Sequence, residues 1–147
     1  MHKHETVAKT LGYAGLIPFV VFSTGAWLPL PFVSYPVDYL IAYAAVILAF
    51  MGAIHWGAAM AGPDGLRNRY FIASVIPALV AWSALLMPQP IALLVLLAGF
   101  VSLYVFDHTS SRLQDFPGWY APMRLRLTTV VAVCLAVTLM LLRKSMA

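Results

Sequence analysis

Five apolar runs, separated by short polar or proline-rich segments, are the feature that most constrains this chain. They cover residues 11–28, 39–61, 70–87, 91–106 and 125–142. A run of about 20 apolar residues is long enough to cross a hydrocarbon core roughly 30 Å thick. Backbone polar groups in hydrocarbon must be satisfied within the protein, so such runs predict α-helices. We therefore expect an all-α integral membrane bundle of five transmembrane helices.

Composition supports a membrane protein. Of the 147 residues, 63% are hydrophobic and only 10% are charged. A soluble domain carries about a quarter charged residues, so most of this surface is not built to meet water. The length predicts one domain, residues 1–147, with the lipid bilayer as its surroundings.

Lysine and arginine residues fall unevenly between the short loops, and this bias predicts orientation. With the N-terminus in the cytoplasm, seven lie inside and two outside. The seven are Lys3, Lys9, Arg67, Arg69, Arg112, Arg124 and Arg126, and the two are Arg143 and Lys144. We expect the N-terminus in and the C-terminus out. The segment before the first run is short for a transit peptide, which favours a bacterial inner membrane.

Small residues and prolines indicate how the helices pack. Within the second run, a stripe of small residues recurs at three- and four-residue spacing: Ala42, Ala45, Ala49, Gly52 and Ala53. Small residues let helix backbones approach closely in lipid, so we expect this helix at the centre of the bundle. Pro18 and Pro77 lie inside the first and third runs, where each removes a backbone hydrogen bond and is expected to shape its helix.

Recognisable catalytic and metal-binding motifs are missing from the sequence. Cys134 is the one cysteine, and the four histidines have no zinc spacing. There is no P-loop, no G-x-S-x-G and no pair of carboxylates within a run. We therefore expect no catalytic residue, no cofactor and no metal, and an enzyme is less favoured than a protein without catalysis. The basic residues are scattered at helix ends, which argues against nucleic acid as a partner.

One ionisable side chain, His55, lies clearly inside a run. Such residues are costly in lipid and indicate a functional site by default. His55 is suited to relay protons, to ligate haem or a metal, or to bind a quinone, and the simpler interpretation is a histidine bonded to a neighbouring helix. A candidate polar cluster comprises His55, Trp56, Asp107, His108 and Arg112. The simpler interpretation of the last three is a solvated helix end with local ion pairing.

Two segments carry a resemblance to a known family. They are Gly12-Tyr13-Ala14-Gly15-Leu16-Ile17-Pro18-Phe19 and the second run from Tyr43 to Gly57, where the F-x-G-x-x-x-W-G pattern is the most specific part. The chain is similar to the domain-of-unknown-function 3429 family of small multi-pass membrane proteins. This resemblance implies a membrane fold over nearly the whole chain and brings no established activity.

Three functions remain open on the sequence alone. We favour a non-catalytic membrane subunit or assembly factor, whose partner would be another membrane protein. A small transporter or channel is the alternative, with a homo-oligomer around a polar pathway at His55. A membrane redox or metal-binding protein using His55, Asp107 and His108 is the third. Replacing His55 by leucine tests all mechanisms centred on it, because unchanged insertion and phenotype would exclude them.

Overall fold

Six α-helices make up the described part of the chain in a computed structural model. The structure describes residues 2–28, 30–61, 67–109 and 118–146. The helices are α1 (His2–Ala14), α2 (Ile17–Trp27), α3 (Pro36–Ala61), α4 (Arg67–Leu85), α5 (Gln89–Thr109) and α6 (Tyr120–Met146). The prediction of an all-α fold is confirmed, since no strand occurs within these ranges.

Five stretches are long and apolar enough to cross a membrane, as predicted. They are His4–Trp27, Pro36–Ala61, Asn68–Leu85, Gln89–Thr109 and Tyr120–Ser145. Several predicted boundaries were too narrow, because the helices continue beyond the apolar residues into polar ends. The span at Gln89–Thr109 is thus five residues longer than the predicted run at 91–106. The span at Tyr120–Ser145 begins about one and a half turns before the predicted run at 125–142.

The first span is broken into α1 and α2, where one run had been predicted. The break lies at Gly15 and Leu16, and Pro18 is in the first turn of α2. Proline has no N–H to donate to the carbonyl four residues earlier, so the helix is interrupted just before it. At this break, the Tyr43 hydroxyl of α3 donates a hydrogen bond of 3.0 Å to the Gly15 carbonyl oxygen.

This hydrogen bond predicts a stability effect. We expect Tyr43→Phe to lower the free energy of unfolding by about 0.5–1.5 kcal/mol, the net value of one hydrogen bond. Tyr39→Phe is the matched control, because Tyr39 is an exposed tyrosine of the same helix that contacts Phe22 through its ring. Reversible unfolding in mixed detergent micelles measures both. Equal losses for the two variants would contradict a role of Tyr43 at the break.

The second span, α3, lies at the centre of the bundle and contacts α2, α4 and α5. Its buried face differs in part from the predicted stripe of small residues. Ala45 and Gly52 are buried as expected, whereas Ala42 and Ala53 are exposed. Leucine and isoleucine share the buried face with the small residues. The face is therefore mixed in size and packs against three neighbours.

Helices α3 and α4 approach each other closely at a glycine. A Cβ added at Gly52 would lie 2.9 Å from the Pro77 side chain and 2.9 Å from the Ser74 carbonyl oxygen. Pro77 itself lies inside a helix that continues on both sides of it. Its structural role is thus contact with α3, while the actual break in a span occurs near Pro18.

Polar contacts tie the helices together away from that crossing. Ser23 of α2 lies 3.1 Å from the Thr138 hydroxyl and donates to the Cys134 carbonyl oxygen, both on α6. At the end of the bundle where α3 and α5 begin, Gln89 donates to the Asp38 carboxylate over 2.7 Å. The largest fully buried side chains of the core are apolar and include Phe19, Leu48 and Phe100.

Candidate functional site

Three charged or ionisable side chains meet at one end of the bundle. Since α3 and α5 run in the same direction and α6 runs opposite to α5, the ends of α3 and α5 lie beside the start of α6. His55 is near the end of α3, Asp107 is near the end of α5, and Arg124 is in the second turn of α6. We call His55, Asp107 and Arg124 the triad, and this end of the bundle the triad end.

Asp107 is the centre of the triad. Its Oδ1 lies 2.8 Å from His55 Nε2, and its Oδ2 lies 2.8 Å from Arg124 Nε. An ionised carboxylate only accepts hydrogen bonds, so both neighbours donate to it. The pairing to arginine is charge-assisted and short, as expected for a strong contact. One side chain of α5 is thereby joined to α3 and to α6.

Burial makes these contacts energetically important. The side chains of His55, Asp107 and Arg124 are only 11%, 7% and 4% exposed. A buried charge is costly unless it is paired and hydrogen-bonded. Here the Arg124 charge is balanced by Asp107, and each carboxylate oxygen has a donor. Removing Asp107 or Arg124 would leave the other charge buried without compensation.

The imidazole of His55 is held on its remaining sides as well. Its Nδ1 lies 3.3 Å from the Gly52 carbonyl oxygen of the preceding turn. The Tyr70 ring stacks nearly parallel to it at 6.4 Å between centroids, and the Phe106 ring lies at 5.3 Å. The Arg69 guanidinium in turn lies over the Phe106 ring, 5.9 Å from its centroid. A neutral imidazole has a single N–H, which the 2.8 Å contact assigns to Asp107, while the Gly52 oxygen and the two aromatic rings surround the imidazole by contact.

The predicted cluster is brought together only in part. His55 and Asp107 are in direct contact. Trp56 is about half exposed and packs edge-on against Phe71, away from the triad. His108 is exposed and its ring stacks on Tyr104. Arg112 lies outside the described residues.

Arg124 is the member that sequence reasoning missed, because it was counted as an orienting charge at a helix start. Its spacing carried a signal. It lies on the same helix face as four buried residues that recur every three or four positions, namely Thr128, Val131, Leu135 and Thr138. Arg126, two residues away, is exposed. An arginine in register with the core face of a membrane helix indicates a buried partner.

Two cavities adjoin the triad without opening directly onto His55. One of about 210 Å³ is lined by Tyr104, Asp107, His108 and Arg124 together with residues of the first turn of α6. A larger one of about 490 Å³ also reaches Arg124. Within the ranges that the structure describes, no three histidine, cysteine, aspartate or glutamate side chains are placed to hold a metal ion.

Known proteins resemble the chain in sequence along most of its length. The family described as "Protein of unknown function (DUF3429)" matches residues 4–140. Transmembrane protein 69 of Xenopus tropicalis is 36% identical over 140 residues, which cover 86% of this chain and 50% of the relative. Transmembrane protein 69 of Mus musculus is 30% identical over 139 residues, covering 87% and 53%. The chain thus spans about half the length of these curated relatives.

No solved structure matches this fold significantly. The family match covers the five membrane-spanning stretches almost completely, and it includes all three members of the triad. The resemblance read from the first and second spans is confirmed over the whole bundle. This multi-pass membrane protein belongs to the family described as "Protein of unknown function (DUF3429)".

Proposed function

We propose that the chain is a non-catalytic membrane subunit or assembly factor and that the triad is a structural lock. The observation that supports this proposal most strongly is that the triad members pair with one another. Among the described residues, Asp107 and Arg124 are the buried formal charges, and they pair with each other and with His55. Both oxygens of Asp107 are engaged by buried donors on two other helices, which suits fixing three helices more than reacting with a substrate.

The outer surface supports a role in association. Large apolar side chains of α4 are exposed along one face, at Ile72, Ile76, Leu79 and Trp82. In lipid, helices associate through close packing and hydrogen bonds, so such a face serves either lipid or another membrane helix.

Purification from the native membrane in a mild detergent tests the association. We expect a second membrane protein to co-elute at a fixed ratio, as seen by native mass. A photo-crosslinking residue at Leu79 reports contact through α4, and one at Met140, exposed on α6, is the matched control. A chain that elutes alone, or only with copies of itself, would contradict the subunit proposal.

Two substitutions of His55 separate a lock from a proton-transferring group. His55→Gln keeps an N–H donor near Asp107 but cannot titrate, whereas His55→Leu removes the donor. A lock predicts that the glutamine variant retains its partner and most of its stability, while the leucine variant loses both in part. Loss of cellular function in the glutamine variant with unchanged stability and partner would contradict the lock.

A small oligomeric transporter is the second candidate, and one observation favours it. The cavity of about 210 Å³ brings Asp107 and His108 to a common space beside the triad. This would give protons or a small polar solute access to the carboxylate. Flux into liposomes containing the purified protein tests it, with His55→Gln and His108→Gln compared. Flux that depends on both histidines would support transport in place of the subunit role.

We also propose an inner-membrane location with the N-terminus in the cytoplasm and the C-terminus outside. The bias of basic residues between the loops supports this. Of the residues counted, Arg124 is buried in the triad, so the bias rests on the others. Membrane fractionation and a C-terminal reporter that is active only outside the cytoplasm test the proposal. A reporter active only at the N-terminus would reverse it.

A further inference from the structure

The larger cavity, of about 490 Å³, lies between α1, α2, α3 and α6 and shares one lining residue, Arg124, with the triad. Its volume falls in the roughly 300–1,000 Å³ range of small-molecule sites. Along α6 it extends from Tyr120 to Val131. At 1.5 Å per residue this is about 17 Å, close to one leaflet of a hydrocarbon core roughly 30 Å thick.

The walls of this cavity are suited to a hydrocarbon chain. Most lining residues are apolar, including Phe19, Ile47 and Phe100. Leu11 and Phe50 also line it and are largely exposed on the outer surface of the bundle. Since that surface faces lipid in a spanning bundle, the cavity communicates with the bilayer sideways. A molecule entering it would come from the membrane.

Thr128 is the unusual polar residue of the cavity. It is only 6% exposed and lines the space, and its Oγ1 has no hydrogen-bond partner among the described residues. A buried hydroxyl normally has a partner. Threonines in helices usually bond the carbonyl four residues earlier, as Thr129 and Thr138 do here at 2.9 Å. The Thr128 hydroxyl departs from this pattern and is available to a ligand in the cavity.

A cation lies one turn away on the same face of α6. Arg124 lines the cavity and uses Nε for Asp107. Its guanidinium is a planar donor group suited to phosphate and carbonyl oxygens. Near the opening, Lys9 lies over the Trp119 ring and Arg126 donates to the Tyr13 hydroxyl. Tryptophan and basic residues together are typical of the level of lipid headgroups.

We propose that this cavity binds one anionic phospholipid. One acyl chain occupies the apolar space, and ester or phosphate oxygens accept hydrogen bonds from Arg124 and Thr128. The headgroup lies at the triad end, near Lys9 and Arg126. This site is independent of the proposed subunit role, because the lipid is bound by the single chain whether or not a partner is present.

The test is native mass spectrometry of the delipidated protein after incubation with phosphatidylglycerol vesicles, with phosphatidylcholine vesicles for comparison. We expect one phosphatidylglycerol to be retained per chain. Thr128→Val should lower its affinity about fivefold, the value of one hydrogen bond. Thr129→Val is the matched control, since Thr129 is exposed and bonds its own helix. Thr128→Ser keeps a hydroxyl and should restore retention.

Several outcomes would contradict the proposed lipid site. Equal retention in the Thr128→Val and Thr129→Val proteins would overturn the proposal. So would retention of a quinone in place of a phospholipid, or equal retention of phosphatidylcholine. If Thr128→Val does not fold, two comparisons with wild type still test the proposal. Thr128→Ser should retain phosphatidylglycerol, and Arg126→Gln should retain less of it. Arg126 is exposed, and its loss should weaken phosphatidylglycerol binding specifically.

Discussion

Replacing Asp107 by leucine is expected to lower the free energy of unfolding by about 3–5 kcal/mol, the cost of removing one partner of a buried ion pair. The reason is that Arg124 then remains buried with its charge uncompensated, and His55 loses its acceptor. Ordinary hydrogen bonds between membrane helices average only about 0.6 kcal/mol. The size of the loss therefore distinguishes a charged lock from a routine polar contact.

His108→Leu is the matched control for this substitution. His108 is the next residue of the same helix and is exposed, so its replacement should change stability by no more than about 0.5 kcal/mol. Reversible unfolding of the purified proteins in mixed micelles provides both values. A loss below about 1 kcal/mol at Asp107, or similar losses at both positions, would show that the triad does not hold the bundle together.

Gly52→Ala is expected to destabilise the bundle by overpacking the crossing of α3 and α4. The added methyl group would lie 2.9 Å from the Ser74 carbonyl oxygen, an atom of the backbone that cannot rotate away. Helices α3 and α4 must then separate, and inserting an extra carbon into a packed core costs about 1–3 kcal/mol. The same shift would also displace His55, which lies one turn further along α3 and contacts the Gly52 carbonyl oxygen.

Gly57 provides the matched control in the same helix. A Cβ added at Gly57 meets nothing within 4 Å. Alanine has a higher helix propensity than glycine, so Gly57→Ala should leave stability unchanged or raise it by up to about 1 kcal/mol. Thermal unfolding and proteolysis in detergent compare the two variants. Equal stability of the Gly52→Ala and Gly57→Ala proteins would contradict the close crossing of α3 and α4.

The number and type of spans were predictable because hydrocarbon imposes a length and a composition on any helix that crosses it. Helix ends were less predictable, because polar residues such as those at 107–109 continue the hydrogen-bonding pattern outside the apolar run. The break near Pro18 and the unbroken helix through Pro77 show a further limit. Both prolines lack an N–H, yet Pro18 lies in the first turn of a helix that starts after a break, while Pro77 lies inside a continuous helix.

The candidate site was half predictable for a similar reason. His55 was identified because it is an ionisable side chain inside a run, and Asp107 because it follows the fourth run at the same end of the predicted bundle. Trp56 and His108 are their chain neighbours, but neighbouring residues on a helix point in different directions, and both side chains face elsewhere. Arg124 comes 17 residues after Asp107, so its pairing depends on how α5 and α6 pack. The periodicity of buried positions on α6 would have identified it.

The family match identifies a multi-pass membrane protein and gives no specific activity. The relatives are called Transmembrane protein 69, and this chain covers about half of each. Their remaining half has no counterpart in the bundle described here. The triad and the lipid-sized cavity lie in the part of this chain that the family match covers.

The most direct test of the triad as a structural lock is a double-mutant cycle between Asp107 and Arg124. It compares the unfolding free energies of wild type, Asp107→Leu, Arg124→Met and the double variant. We predict strong coupling: the second substitution should cost little once the first is present, because the double variant leaves no buried charge unpaired. Additive losses, with coupling near zero, would contradict the lock.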